Sequence, residues 1–328
     1  MFTEKVKTSW LKLFTLVVAA TVMAELLIGS TPFSRIAQLL PQFLFYGSGV
    51  ILIREITRRM RLGWTTIILL GFAYGIIEEG LALQSIFNPH FLNLNIAYGR
   101  AWGVNWVWAE YLTGFHCFWG MTGAILLCEE IYPQDRDRPW VSVPVLWVVG
   151  VIYVLICVAF HFLFVKMLAF QAGSNLVMAC ALIIVLLITI ALKLPRKRID
   201  AENNAVAKPG YSFWLIALIT FAAGVLWFLG IVSVFMKDKV SLWISVPGAF
   251  VIVIIYFTLI NQWRLVAIKN NIDKFAIVTG LLCAELVFGY NQTLANQLDH
   301  YGQMVLIVLV VSLLIILYKK SKKIHAVI

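Results

Sequence analysis

The sequence predicts an all-α protein, a polytopic transmembrane helix bundle of about ten spans with both termini in the cytoplasm. Three observations predict it. The chain is 328 residues long, 62% hydrophobic and only 13% charged, with mean hydropathy +0.91, a composition outside the range of soluble domains. Apolar runs of roughly 18 to 25 residues recur from one end to the other, the length a helix needs to cross about 30 Å of hydrocarbon. The net charge of +10 is dealt out in clusters between those runs, at every second loop. That distribution reads as membrane topology and leaves no basic stripe for nucleic acid.

The first span, 10–30, follows Lys5 and Lys7. Its apolar stretch Leu11 to Ile28 is long for a signal-peptide core and no A-x-A site follows it, so it is expected to remain as an uncleaved helix. Span 2 (36–57) ends among Arg54, Arg58, Arg59 and Arg61. Span 3 (64–87) leads into an outer loop, 88–105, that mixes Asn, Gly and His with Trp102, Trp106 and Trp108. Such a loop belongs at headgroup level, as an aromatic belt or as a lid over a site beneath. Span 4 (105–130) returns to Arg136 and Arg138. Spans 5 (141–165) and 6 (174–194) lead to the longest linker, 195–210, with Pro195, a basic run and Pro209. It divides a six-helix part, 1–194, from a four-helix part, 211–328, the two forming one membrane domain. The last spans are 211–236, 243–263, 274–292 and 302–318, with Arg264, Lys269 and Lys274, then Lys319, Lys320, Lys322 and Lys323, between and after them. The clustered positions hold 21 of the 26 Lys and Arg. Arg35, Arg100, Lys166, Lys237 and Lys239 fall on the other side, so both ends are placed in the cytoplasm of an integral membrane protein, most simply of the plasma membrane. The lipid bilayer is its first partner.

Five cysteines lie inside apolar runs without C-x-x-C spacing and read as small core residues. A six-residue echo, Ala24 to Gly29 against Ala284 to Gly289, joins two spans that run in the same direction, so it does not mark an inverted repeat.

Ionisable residues inside spans cost about 2.5 to 3.5 kcal/mol on insertion scales and need a reason to be there. Glu78 and Glu79 in span 3 and His116 in span 4 share one depth in the outer half of the membrane. His161 in span 5 and Glu25 and Glu285 in spans 1 and 9 lie nearer the outer surface, the two glutamates read as hydrogen-bond glue. A common polar cavity open to the outside accounts for the shared level. Because successive α-helical residues point about 100° apart, Glu78 and Glu79 are not expected to face one neighbour squarely. Glu78 shares its face with Gly71, Tyr74, Ala82 and Ser85, and Glu79 with Phe72, Ile76, Leu83 and Ile86, so Glu78 is the expected cavity residue. His116 shares a face with Thr113, Gly120 and Gly123, glycines expected to let spans 3 and 4 touch. The inner halves hold few polar residues beyond Arg54 and Glu55, expected to pair locally or to snorkel.

A glutamate pair in one span, a histidine in the next and a histidine in the one after resembles the CAAX protease and bacteriocin-processing family of intramembrane proteases, and the related PrsW-like proteases. Their pattern is EExxxR, FxxxH and HxxxN. Here Leu83 stands for the arginine, with Gln84 the nearest polar side chain, Leu112 for the phenylalanine and Val165 for the asparagine. The resemblance spans about 77–165 and implies a catalytic set: Glu78 activating water, Glu79 as its partner, and His116 and His161 holding the water or the oxyanion. Three function classes follow: an intramembrane hydrolase, or an inactive relative, acting on a peptide or small molecule; a transporter or ion-coupled permease using the same acidic residues as a relay; or a non-catalytic subunit in which His116 and His161 ligate a metal or haem.

Overall fold

The computed structural model describes residues 6–91, 99–195, 212–235 and 271–325, with scattered positions between 241 and 258. These residues form a helix bundle with one short hairpin. Helix α1 (Trp10–Thr21) runs into a π-helical turn, Val22–Leu26. A 3-10 segment, Phe33–Gln38, leads into α2 (Leu39–Arg59). Helix α3 (Trp64–Ile76) ends in a second π-turn, Ile77–Ala82. After a tight antiparallel ribbon, β1 (Arg100–Ala101) on β2 (Val104–Asn105), a single rod comprises α4 (Trp106–Phe115), a π-segment (His116–Gly123) and α5 (Ala124–Ile131). Then come α6 (Val143–Leu168), α7 (Ser174–Lys193), α8 (Phe213–Val225) with its π-segment Leu226–Phe235, α9 (Asn271–Gln292) and α10 (Gln297–His325).

Eight helices among the described residues are long and apolar enough to cross a membrane. Two expected spans depart from this set. Helix α1 with its π-turn ends at Leu26 rather than near residue 30, which makes it about 25 Å long at 1.5 Å per residue. The expected span 243–263 and the linker 195–210 lie largely outside the described residues.

Burial sorts the helices into layers. The α4–α5 rod has 89% of its apolar window buried, whereas α6, α7 and α10 have 11%, 17% and 17%. The rod is therefore the axis of the bundle, and the poorly buried helices present Val, Leu and Ile to lipid. In lipid, helices gain little from hiding apolar surface, so close backbone approach and polar contacts decide packing. Gly71 and Gly75 of α3 supply it against the rod: a Cβ on Gly75 would lie 2.9 Å from Cα of Thr113, and one on Gly71 3.1 Å from Sγ of Cys117. Gly120 and Gly123, expected to make this contact, face Ala24 and Met23 of the first helix instead.

Helices α9 and α10 close the bundle through backbone contacts. Gly289 of α9 sits against the carbonyl oxygen of Leu27 so tightly that no Cβ fits. The same carbonyl accepts Nε2–H of Gln303 at 2.9 Å, and Asp299 accepts the backbone N–H of Ser34 at 2.7 Å. The two echoing segments, 24–29 and 284–289, thus meet at this crossing.

Candidate functional site

The site is built where three helices leave the α-helical register. At the end of α3, the backbone N–H of Leu83 bonds the carbonyl of Glu78, five residues back, at 2.8 Å. An i→i+5 bond packs an extra residue into the turn, so neighbouring side chains diverge less than the 100° of an α-helix. Glu78 and Glu79 both reach the ring of His116, which opens the π-segment of the rod. Nε2 of His116 is hydrogen-bonded to Oε1 of Glu79 at 2.9 Å, and Nδ1 lies 3.2 Å from Oε2 of Glu78. The expectation that Glu79 would turn to an apolar face is therefore corrected. It assumed α-helical spacing at a place where the helix is π.

All three residues are buried, each with 3% of its surface exposed. Glu79 is held on its other oxygen by the Ser85 hydroxyl. Oε1 of Glu78 accepts a hydrogen bond from the Tyr46 hydroxyl at 2.7 Å, and the same hydroxyl lies 2.9 Å from Oε1 of Glu25. Glu25 sits in the π-turn after α1 and accepts from the Thr31 hydroxyl at 2.7 Å. A continuous polar chain thus runs from Thr31 through Glu25, Tyr46, Glu78, His116 and Glu79 to Ser85. Tyr46 has one proton for two carboxyl groups, so the contacts on both its sides can be hydrogen bonds only if one carboxyl supplies a proton of its own.

Glu25, Tyr46, Glu78, Glu79 and His116 of this chain line a cavity of about 310 Å³, whose walls include Trp108, Phe115, Phe288 and Gln42. Two buried atoms of its lining residues, Oε2 of Glu78 and Nδ1 of His116, have no hydrogen bond among the described residues despite their proximity to each other. Their angles are wrong for a direct bond.

His161 does not join the cluster. Its Nδ1 is hydrogen-bonded to the Leu81 carbonyl at 2.8 Å, closing a backbone group left open at the end of α3, and it does not line the cavity. A shared metal or haem between His116 and His161 is thereby without geometric support. Gln84, nearest to the missing motif arginine, also turns away, its side chain accepting the Ala172 N–H at 2.8 Å. Glu25, expected as glue, is a wall of the cavity. Glu285 is fully buried in α9 outside that wall, and neither of its oxygens is hydrogen-bonded among the described residues.

Tyr46 was not singled out by sequence reasoning, since a lone tyrosine in an apolar run reads as core or interface. A second polar layer was also underread. Arg54, 0% exposed, donates to Glu55 at 2.8 Å and to the carbonyls of Asp135, Arg136 and Arg138, with its guanidinium 3.3 Å from the ring centroid of Trp140. Arg58 makes a two-pronged bond to Glu129 at 2.8 and 2.7 Å. Glu55 accepts the backbone N–H groups of Trp140 and Val141. These charges neither snorkel nor pair only locally. They clamp the connection between α5 and α6 to α2.

Fold and cluster together define a polytopic integral membrane protein with a buried Glu–His–Glu site under an internal cavity. The chain belongs to an uncharacterized membrane protein family, whose profile matches residues 14–291. No curated protein and no solved structure matches it.

Proposed function

We propose that this protein is a membrane-embedded hydrolase in which Glu78, His116 and Glu79 bind and activate a water within the cavity. The observation that carries the reading is the convergence of two buried carboxylates and an imidazole in the wall of a cavity, with Oε2 of Glu78 and Nδ1 of His116 left without hydrogen bonds among the described residues. The water gives its proton to the cluster as its oxygen attacks the substrate carbonyl. The tetrahedral oxyanion is stabilised by the protonated cluster, and the proton then passes to the leaving group as the scissile bond breaks. The apolar walls suit an amide or ester within an apolar segment, such as a peptide or lipid-like molecule entering from the bilayer.

What supports hydrolysis over ion-coupled transport is that the cluster is flanked by aromatic packing and that the charges nearer the cytoplasmic ends of the helices are held in structural pairs. Phe45 packs against Tyr74, Tyr153 and Phe160 with ring centroids 5.6, 6.1 and 4.9 Å away. Beyond them the Arg54–Glu129 layer closes the bundle. In the orientation assigned by the positive-inside rule, that layer lies on the cytoplasmic side and the cluster on the outer side.

The test is a digest of apolar peptides and acyl esters by the protein in liposomes, with new termini read by mass spectrometry. Wild type should generate products, and Glu78→Gln and Glu79→Gln should each reduce them at least a hundredfold at unchanged folded yield, because glutamine keeps the size but cannot ionise. Products formed equally by Glu78→Gln would sink the reading.

A further inference from the structure

We propose that Glu78, Glu79 and His116 form a site for one divalent transition-metal ion, Zn²⁺ by its donor set, and that this ion holds the water of the hydrolase reading above, on whose chemistry this inference rests. One oxygen from each carboxylate and one nitrogen of the ring lie within 4.8 Å of one another. That proximity alone would describe any carboxylate–histidine cluster. Three further observations point to an ion.

The first is a pair of unsatisfied atoms. Oε2 of Glu78 and Nδ1 of His116 are buried and lack hydrogen bonds among the described residues, yet lie 3.2 Å apart. Two ligands bound about 2.0–2.1 Å from a tetrahedral zinc are about 3.3 Å apart. A protonated imidazole would close the gap with an aligned N–H···O bond, and the angles here do not allow one.

The second is the support behind those atoms. Nε2 of His116 faces Oε1 of Glu79 at 2.9 Å, and Oε1 of Glu78 accepts from Tyr46 at 2.7 Å. A histidine whose other nitrogen is held by a carboxylate, with its partner carboxylate hydrogen-bonded in turn, is how protein metal ligands are oriented. In this arrangement Glu78 and His116 bind first, and Glu79 either completes the set or fixes the Nε2–H tautomer that leaves Nδ1 free to bind.

The third is charge. Glu25, Glu78 and Glu79 all line the cavity, and no Lys or Arg does so among the described residues. Buried carboxylates need a compensating cation or protons, and a divalent ion supplies that charge while leaving coordination positions open to water and substrate.

The experiment loads full-length protein in nanodiscs with Co²⁺ alone, as a spectroscopic stand-in for Zn²⁺, and measures bound metal by mass spectrometry and visible absorption. Wild type should hold one equivalent with a tetrahedral or five-coordinate spectrum. Glu78→Gln and His116→Gln should lose it, and Glu79→Gln should weaken it 10- to 100-fold. Glu285→Gln, a buried carboxylate outside the cavity, and His161→Gln should retain it. Circular dichroism on each variant separates lost binding from lost folding. Wild type that binds no more Co²⁺ than a folded Glu78→Gln/His116→Gln double variant would overturn the site. Hydrolysis surviving chelation would also overturn the metal while leaving the hydrolase standing, and bound metal without hydrolysis would do the reverse.

Discussion

At the scale of single residues, the cluster makes Tyr46 the most exacting test of the polar chain. Its hydroxyl joins Glu25 to Glu78, so Tyr46→Phe removes two contacts while keeping the ring that packs 5.9 Å from His116. We expect a ten- to hundredfold loss of hydrolysis with a melting temperature within a few degrees of wild type. An unchanged rate would confine Tyr46 to packing. Glu78 and His116 were legible because charge in an apolar run is costly and the two fall at one depth once topology is drawn. Tyr46 was not, because tyrosine is at home in membrane helices whether or not its hydroxyl is used. His161 was misleading for the opposite reason: its hydrogen bond to the Leu81 carbonyl satisfies the backbone, a need no motif records.

At the scale of elements, the deviation that matters is the π-turn. Glu25, Glu78, Glu79 and His116 all lie in such turns, and face assignments made at 100° per residue fail there. That is why Glu79 was expected on an apolar face, and Ser85 on the face of Glu78 rather than bonded to Glu79. The glycine contacts show the same limit: Gly71 and Gly75, not Gly120 and Gly123, bring α3 to the rod. The opposite polar layer depends on pairing instead. Glu129 holds Arg58 through two bonds and lies 3.2 Å from Nε of Arg54. Glu129→Gln should therefore cost about 3–5 kcal/mol by leaving buried guanidinium charge uncompensated, seen as a large drop in melting temperature in detergent. Glu129→Gln with Arg58→Met should recover part of it. A Glu129→Gln protein as stable as wild type would show that the layer contributes nothing to folding.

At the scale of the whole molecule, class and span positions were legible because lipid imposes length and apolarity on every crossing element. Spans 2 to 7 and 9 to 10 each correspond to a helix in the structure. The order of layers was not legible, since the buried rod and the lipid-facing helices are both apolar and differ only in what packs on them. Membrane orientation rests on the loop charges. Reporter fusions at Asn203 and after Lys323 should read cytoplasmic, and fusions at Asn95 and Lys237 external; a cytoplasmic signal at Asn95 would invert the bundle and place the cluster on the cytoplasmic side.

The depth of the cluster has an electrical consequence. His116 lies ten residues along the rod from Trp106, about 15 Å, or half of a hydrocarbon layer about 30 Å thick. In the predicted orientation, a cation entering from outside falls through roughly half of the transmembrane voltage to reach it. One elementary charge crossing the full field is worth about 2.3 kcal/mol per 100 mV, so a divalent ion crossing half of it gains about the same. A potential of about 100 mV would then fill the site nearly fiftyfold more readily than no potential at the same external concentration, which would couple occupancy of the cluster to the energetic state of the cell.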